Sequence, residues 1–415
     1  MEPKHLDVKY DCKRIRRMNE VTIMDLPRVI MAEILSRLPI KPIFRCKTVC
    51  KLWYHLLTSD PLFVKMYHTK SSNSPCILLS INNSVRLLVE LKAYYDYDSQ
   101  PLNTLILLSR KFHLPRPSDL LSDDLFGFTS VKENLTLIGS CNGFICLLNG
   151  WSHEKNHSVY INNPLLGEYF KVKLPEKEKR VRCVAYAFCY SEEGSGQYKI
   201  LRSVKVRKFR GRPEVLELDV YTLGVDEKWR NVGEAPCPVS HHFGKVNVNG
   251  SLHWMDREKN DSIYSFDIGI EKLKSLPFPP GLKTPSPCLM LVELGNCLCL
   301  SDNISFQHID IWWMKEYGIA ESWVKDRISL YNIPPDSCGA RYVPIIIWKD
   351  GKILMQRERG AQLISYNPYD KQFTKVNVYG IGIGATKYVP NLYSLKTVMG
   401  DNFQVSNVFA KTEIV

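Results

Sequence analysis

The apolar positions of this chain change their period once. Between Leu26 and Leu57 they recur at three- and four-residue intervals, the spacing that lines one face of a helix. Ile30, Ile34, Leu35 and Leu38 form one such stripe. Pro27 stands where a first helical residue belongs, with Asp25 ahead as its cap, and Pro39 stops the helix because the residue before a proline is driven out of the α region. Pro42 is expected to open a second helix carrying Ile43, Phe44, Cys46, Val49 and Cys50. A third short turn holds Trp53, Leu56 and Leu57, and Ser59-Asp60-Pro61 reads as a further cap and start ahead of Leu62, Phe63 and Met66. A helical unit of about 40 residues rarely closes a core without help. This one carries more apolar side chains than its short helices can hide, and surplus of that kind marks a docking site for a partner.

Past a loop-rich hinge, Ser71-Ser72-Asn73-Ser74-Pro75, the period becomes that of a strand. Cys76–Ile81, the polar Asn82-Asn83-Ser84 and Val85–Leu91 predict a hairpin, and short β-rich runs follow to the end. They repeat. An apolar-turn-apolar piece occurs at Cys141-Asn142-Gly143-Phe144, Val248-Asn249-Gly250-Ser251, Leu294-Gly295-Asn296-Cys297 and Trp348-Lys349-Asp350-Gly351. Asn-Gly and Asp-Gly suit tight hairpins because both residues tolerate positive φ. A second piece, a strand with a polar turn leading to an aromatic or leucine, ends its first strand near Asn163, Thr222, Asp267, Trp313 and Asn367. Those five positions lie 59, 45, 46 and 54 residues apart. A period near 50 with about four strands per unit predicts propeller blades, which must stack round an axis because one sheet cannot hide both faces. A β-sandwich does not explain so long a period. Five units plus the hairpin after Pro75 predict about six blades.

Composition narrows the class without changing it. Hydrophobic residues make up 45% of the 415 and charged residues 24%, the proportions of an ordinary soluble protein. No apolar run nears the roughly 18 residues of a membrane helix, and the charged start lacks the apolar region of a secretory signal. Thirteen scattered cysteines with no export signal predict free thiols in a reducing compartment, cytoplasm or nucleus. Of the net charge of +12, residues 1–70 contribute +7, with 14 Lys+Arg against 7 Asp+Glu. Lys13-Arg14-Ile15-Arg16-Arg17 is the best candidate for a nuclear signal or nucleic-acid contact, but a solvated basic leader is the simpler reading, and neither nucleic acid nor membrane is expected as a partner.

Catalytic chemistry is hard to find. Gly194-Ser195-Gly196 has no nucleophile-elbow context, and His153 with His157 lacks a third ligand. Cys46 with Cys50 and Cys297 with Cys299 lack the CxxC spacing. Gly380-Ile381-Gly382-Ile383-Gly384 lacks the lysine and the following helix of a phosphate loop, which leaves a flexible closing loop. No cofactor, no metal and no enzymatic activity are therefore expected.

The helical segment resembles the F-box, through Leu26-Pro27, Ile34-Leu35-Ser36-Arg37-Leu38-Pro39, Arg45, Lys47, Val49-Cys50-Lys51 and Trp53. The β-rich part is similar to the F-box-associated domain of plant F-box and F-box/kelch-type proteins, the S-locus F-box group among them. It shares Cys141-Asn142-Gly143, Asn163-Pro164, Ile311-Trp312, Glu316-Tyr317-Gly318, Glu321-Ser322-Trp323 and Leu363-Ile364-Ser365-Tyr366, without the double glycines of strict kelch repeats. The resemblance implies a mainly β protein with a small three-helix F-box ahead of a propeller-like domain of about six blades. Its segments are a basic leader (1–20), F-box (21–70), hinge (71–75), F-box-associated domain (76–398) and C-terminal tail (399–415). It implies a substrate-recognition subunit of a Skp-cullin-F-box ubiquitin ligase, non-catalytic, bound to a Skp-type adaptor and through it to a cullin; the alternative is a non-degradative F-box scaffold. Adaptor contacts are expected among Leu26, Pro27, Ile30, Ile34, Leu35, Leu38, Pro39, Ile43, Phe44, Lys47, Val49, Cys50 and Trp53, divided between module core and adaptor. Trp151, Tyr94, Tyr95, Phe209 and the basic run Val204–Arg212 are the candidates for meeting the target protein.

Overall fold

A computed structural model describes residues 26–72, 76–81, 85–90, 106–108, 135–150, 157–175, 181–191, 196–206, 215–235, 243, 245–255, 262–282, 288–348, 350–358, 360, 362–376 and 384–407. The chain divides into two units, Met1–Lys70 and Ser71–Val415.

The first unit holds α1 (Arg28–Ser36), α2 (Ile40–Cys46), α3 (Lys51–Ser59) and α4 (Pro61–Ser72). The helix starts differ from expectation by a residue or two. Pro27 is the N-cap of α1 rather than its first residue, and Pro39 is the N-cap of α2, which therefore begins at Ile40 before Pro42. Pro42 sits in the first turn, where its missing N–H has no intrahelical partner to lose. Asp25 lies outside the described residues. Asp60 caps α4 as the sequence predicted: its Oδ1 accepts from the backbone N–H of Leu62 at 2.9 Å and of Phe63 at 3.3 Å. That helix runs two residues into the segment expected as hinge, through Ser72.

The second unit is built of six sheets among the described residues. Each is an antiparallel meander. The second blade comprises Leu135–Cys141, Phe144–Asn149, Ser158–Asn163 and Glu168–Val172. The third comprises Val181–Tyr190, Tyr198–Val206, Val215–Thr222 and Arg230–Glu234. The fourth takes Val246–Val248, Ser251–Met255, Ile263–Asp267 and Lys272–Leu276. The fifth takes Leu289–Leu294, Cys297–Asp302, His308–Met314 and Trp323–Ser329, and the sixth Tyr342–Ile347, Ile353–Arg357, Leu363–Asn367 and Gln372–Val376.

The first blade joins the two ends of the domain. Cys76–Ile81 pairs with Val85–Glu90 on one side, the predicted hairpin, and with Gly384–Tyr388 on the other. The C-terminal strand thus supplies the innermost strand of the blade that the N-terminal strands begin, and the ring closes by hydrogen bonds. Gly384, expected in a flexible loop, opens that closing strand.

The repeat positions now have physical meanings. Asn163, Thr222, Asp267 and Asn367 end the third strands of their blades, and Trp313 stands one residue before such an end. Three of them start the next turn with a side-chain acceptor: Asn163 Oδ1 to Leu165 N at 2.9 Å, Asp267 Oδ1 to Gly269 N at 3.1 Å and Asn367 Oδ1 to Tyr369 N at 3.1 Å. The first-to-second-strand hairpins hold Asn142-Gly143, Asn249-Gly250 and Gly295-Asn296 with both residues at positive φ.

The cores lie between blades. One apolar cluster joins the second and third blades with residues 395–405, a second the third and fourth, a third the fourth and fifth, and a fourth the fifth and sixth. Tryptophans pin two of these junctions in the same way. The Trp229 indole N–H donates to the carbonyl of Lys173 at 2.9 Å, and that of Trp323 to the carbonyl of Pro277 at 3.1 Å, each carbonyl following the last strand of the preceding blade. Charge pins another: buried Lys199 pairs with Glu271 at 2.6 Å, which also takes Arg230 at 2.8 Å. The Arg230 guanidinium holds the Glu271 carboxyl down to about 2, against desolvation.

Of the segment expected as a C-terminal tail, residues 399–407 belong to the domain. Met399 is buried at the end of α5 (Leu395–Met399), Phe403 and Val405 pack on the second blade, and Ser406–Asn407 adds a fifth strand to it. This stretch lies so close to the turns beneath it that Gly143 is obligatory. At φ 86° a Cβ there would overlap that of Asn391, whose Nδ2 donates to the Asn142 carbonyl at 3.2 Å.

Two predictions follow from this packing. Gly143→Ala should destabilise the propeller by about 1–3 kcal/mol from backbone strain alone, plus the displacement of Asn391, read as a lowered urea midpoint. His253 is buried between the Val246 carbonyl and the Tyr317 hydroxyl at 2.7 Å, and burial pushes its imidazole down to about 4. A histidine that protonates more readily when unfolded stabilises the fold above pH 6.5 and stops doing so as pH falls towards 4. Stability should therefore drop by about 2 kcal/mol between pH 7 and pH 5, and His253→Gln should flatten that slope.

Candidate functional site

The helical unit sorts its apolar side chains by side. At about 100° per residue, Val29, Ile30 and Ile34 share one arc of α1, while Met31, Ala32 and Leu35 share the opposite one. The second arc is core: Met31, Ala32 and Leu35 are buried with Ile40, Ile43, Trp53, Leu56, Leu57, Phe63, Val64 and Tyr67. The first arc is exposed, Val29 at 62%, Ile30 at 48% and Ile34 at 42%. Further exposed apolar side chains follow at Val49, on α3 at Leu52 and Tyr54, and on α4 at Leu62.

Polar contacts hold the helices so that this arc stays outward. Buried Asp60 receives Arg28 Nε at 2.8 Å as well as the α4 amides, tying the start of α1 to the start of α4. Lys70 donates to Ser36 Oγ at 2.7 Å and pairs with Glu33 at 2.8 Å, tying the ends of the same two helices. The Lys70 ammonium, with Arg37, lowers the Glu33 carboxyl below its usual range. Cys50 caps α3, its Sγ accepting from Trp53 N at 3.5 Å, and the Lys47 ammonium lies 5.2 Å over the Phe44 ring.

The thirteen expected contact positions therefore divide. Leu35, Ile43 and Trp53 are core; Pro27, Ile30, Ile34 and Val49 are exposed; Leu26, Leu38, Pro39, Phe44, Lys47 and Cys50 are half-buried. Val29, Leu52, Tyr54 and Leu62 join the exposed set without having been singled out from the sequence. The signal for Val29 was there, since it is adjacent to Ile30 on the same arc. For Leu52 no periodic pattern separates it from its buried neighbour Trp53. Trp151, Tyr94, Tyr95 and Phe209 lie outside the described residues, as does the basic run after Val206.

The other sequence candidates are built into the fold. His157 meets the Tyr186 hydroxyl at 2.8 Å, and His153 lies outside the described residues. Cys297 Sγ donates to the Met314 carbonyl at 3.1 Å, and the hydrogen bond with Cys299 lowers its thiol pKa while raising that of its partner. Among the described residues no group of three or more His, Cys, Asp or Glu side chains is placed to hold a metal ion.

A small helical module with an apolar face, joined to a six-bladed ring, defines an interaction protein of the F-box class. Residues 23–65 match the F-box domain, and residues 105–402, most of the chain, match the F-box associated beta propeller domain. The chain belongs to that family of plant F-box proteins. Its relatives in Arabidopsis thaliana include F-box protein At3g07870, 28% identical over 82% of each chain, and F-box/kelch-repeat protein At3g23880, 25% identical over 75% of this chain and 80% of that one. F-box protein CPR1 is 22% identical over 90% of this chain and 87% of its own length. The pairing of domains is that of substrate receptors of Skp-cullin-F-box ligases in general. Among solved structures, virginiamycin B lyase from Staphylococcus aureus aligns with 66% of this chain and 85% of that one at 13% identity and a TM-score of 0.33, too slight a likeness to bear on function.

The clamp at Asp60 is testable within the intact chain. Asp60→Ala removes a cap and an ion pair whose arginine is largely exposed, so the loss should be about 1–2 kcal/mol, nearly all from the cap. Hydrogen exchange should then speed up about 5- to 30-fold at the amides of residues 62–67 and stay unchanged in the propeller.

Proposed function

We propose that the chain is the substrate-recruiting subunit of a Skp-cullin-F-box ubiquitin ligase. In this reading α1 to α3 dock on a Skp-type adaptor, the adaptor connects to a cullin, and the propeller loops hold a protein target for ubiquitination and degradation. The observation that carries it is the exposed apolar arc Val29, Ile30 and Ile34 on a unit whose own core is already closed by Leu35, Ile43, Trp53 and Leu57. Three aliphatic side chains held in water on one helix gain free energy only when a partner covers them, at roughly 25 cal/mol per Å² of apolar surface.

The receptor itself supplies no reacting group in this scheme. Its contribution is effective concentration: a target held beside a ubiquitin-charged enzyme reacts as if in the same molecule. Two rigid bodies, one for the adaptor and one for the target, suffice. The same reading puts the chain in the cytoplasm or nucleus, and free thiols at ten of the described cysteines support a reducing compartment.

Ile30→Asp combined with Ile34→Asp should abolish co-purification with a Skp-type adaptor while far-UV circular dichroism and melting stay near wild type, because both residues lie outside the core. Leu35→Asp should lose binding and helicity together, since it places a charge in the core. Undiminished adaptor binding by the double variant would sink the assignment. Accumulation of a target when the chain is removed, reversed by the wild type and not by the double variant, separates a degradative receptor from a scaffold.

A further inference from the structure

One end of the ring carries a cluster of exposed apolar side chains where the fifth blade joins the sixth. The paired strands His308–Met314 and Trp323–Ser329 meet at His308 and Ser329, so the loop entering the first and the link leaving the second emerge side by side. Leu330 N donates to the Gln307 carbonyl at 2.8 Å and ties the two together. On them Ile304 is exposed, Phe306 is 54% exposed and Tyr331 is 92% exposed. The backbone beneath is fixed in shape. Ile304 N donates to Asp302 Oδ1 at 3.1 Å and Gln307 N to Ser305 Oγ at 3.1 Å, while Leu330 and Ile333 are buried on either side of Tyr331. In the other described loops and turns of the ring the exposed large apolar side chains stand apart. Val225, Ile270, Ile319 and Tyr369 occupy the third-to-fourth-strand turns of four different blades, at the opposite end.

Arg341 immediately precedes the first strand of the sixth blade, and its guanidinium carbon lies 5.3 Å from the centre of the Phe306 ring. Its side chain is 34% exposed, and its ionic contact, Nη1 to Glu358 Oε2 at 3.8 Å, is beyond hydrogen-bond reach. An arginine laid on an aromatic ring and partly open to water suits a carboxylate, which it takes through two parallel hydrogen bonds.

We propose that this end of the fifth and sixth blades is where the target docks, and that it takes a segment of the target in which a large apolar side chain stands beside an aspartate or glutamate. The proposal rests on the reading of the chain as a target receptor and adds the place and chemistry of the contact. Phe306 and Tyr331 are the aromatic anchors, and because their loops are already shaped, docking orders little backbone. Arg341 supplies the local charge, and the net charge of +12 draws in an acidic segment while repelling a second copy of the chain. Glu358 opposes the incoming carboxylate, so its removal has a defined sign.

The test pans a random-peptide phage library against the intact chain. Selected sequences should share a large apolar residue next to Asp or Glu. The tightest, labelled with fluorescein, is titrated into each variant and read by anisotropy. Phe306→Ala, Tyr331→Ala and Arg341→Gln should each weaken binding by about tenfold or more, and Tyr369→Ala should leave it unchanged. Glu358→Gln should tighten it by about 2- to 5-fold. Replacing the peptide carboxylate by its amide should weaken binding to the wild type about tenfold and cost nothing further in Arg341→Gln. Should Arg341→Gln melt early, Tyr331→Ala and Glu358→Gln still decide. No enriched motif, a motif without an acid, binding indifferent to Phe306 and Tyr331, or self-association that Tyr331→Ala breaks overturns the proposal. None of these outcomes touches the receptor reading, which fails separately if the Ile30→Asp/Ile34→Asp chain still binds the adaptor.

Discussion

The propeller depends on one set of hydrogen bonds, those between the strand Gly384–Tyr388 and the strand Cys76–Ile81. A four-stranded sheet has two faces and can hide neither by itself, so each blade needs a neighbour on both sides. An open row of blades would leave two end faces and an unpaired strand edge in water. Pairing Gly384–Tyr388 with the first strand of the domain removes both liabilities in one step. It also explains why residues after the closing strand are so strongly held. Tyr388 is fully buried with its hydroxyl on the Gly143 carbonyl at 3.0 Å, and Leu395 N–H and the Ser394 hydroxyl both meet Glu168.

Between blades the same constraint is met by several kinds of contact. Aliphatic and aromatic side chains fill each junction, and a smaller number of directional bonds fixes how neighbouring blades are set. The indoles of Trp229 and Trp323, the Lys199–Glu271–Arg230 group and the His253–Tyr317–Ser265 group all have this role. Apolar packing alone tolerates sliding, because it is non-directional. A buried ion pair or an indole donor does not, because a displaced partner leaves a desolvated polar group behind.

The helical unit follows a different physical logic. Its polar links, Arg28–Asp60 at one end of α1 and Lys70–Glu33 at the other, orient α1 against α4 with little need for a large core. The limited core then suffices to bury one arc of α1, and the other arc stays available. A rigid ring and a compact docking unit are the two parts that recruitment by proximity requires.

How much of this was legible in the residues differs between the parts. The alternation of periods, the cap at Asp60, the tight turns at Asn142-Gly143 and Asn249-Gly250 and the five repeat positions were all readable, because each is a local property of a few consecutive residues. The helix starts expected at Pro27 and Pro42 were off by a residue or two, Pro27 and Pro39 being the caps, since a proline is compatible with both the cap and the first turn. The reach of the domain past residue 398 was not legible: Met399, Phe403 and Val405 look like any apolar residues in a tail until the second blade is there to receive them. Nor could the sequence separate Leu35 from Ile34, both aliphatic and adjacent, since which one faces the core is decided by where the other helices lie.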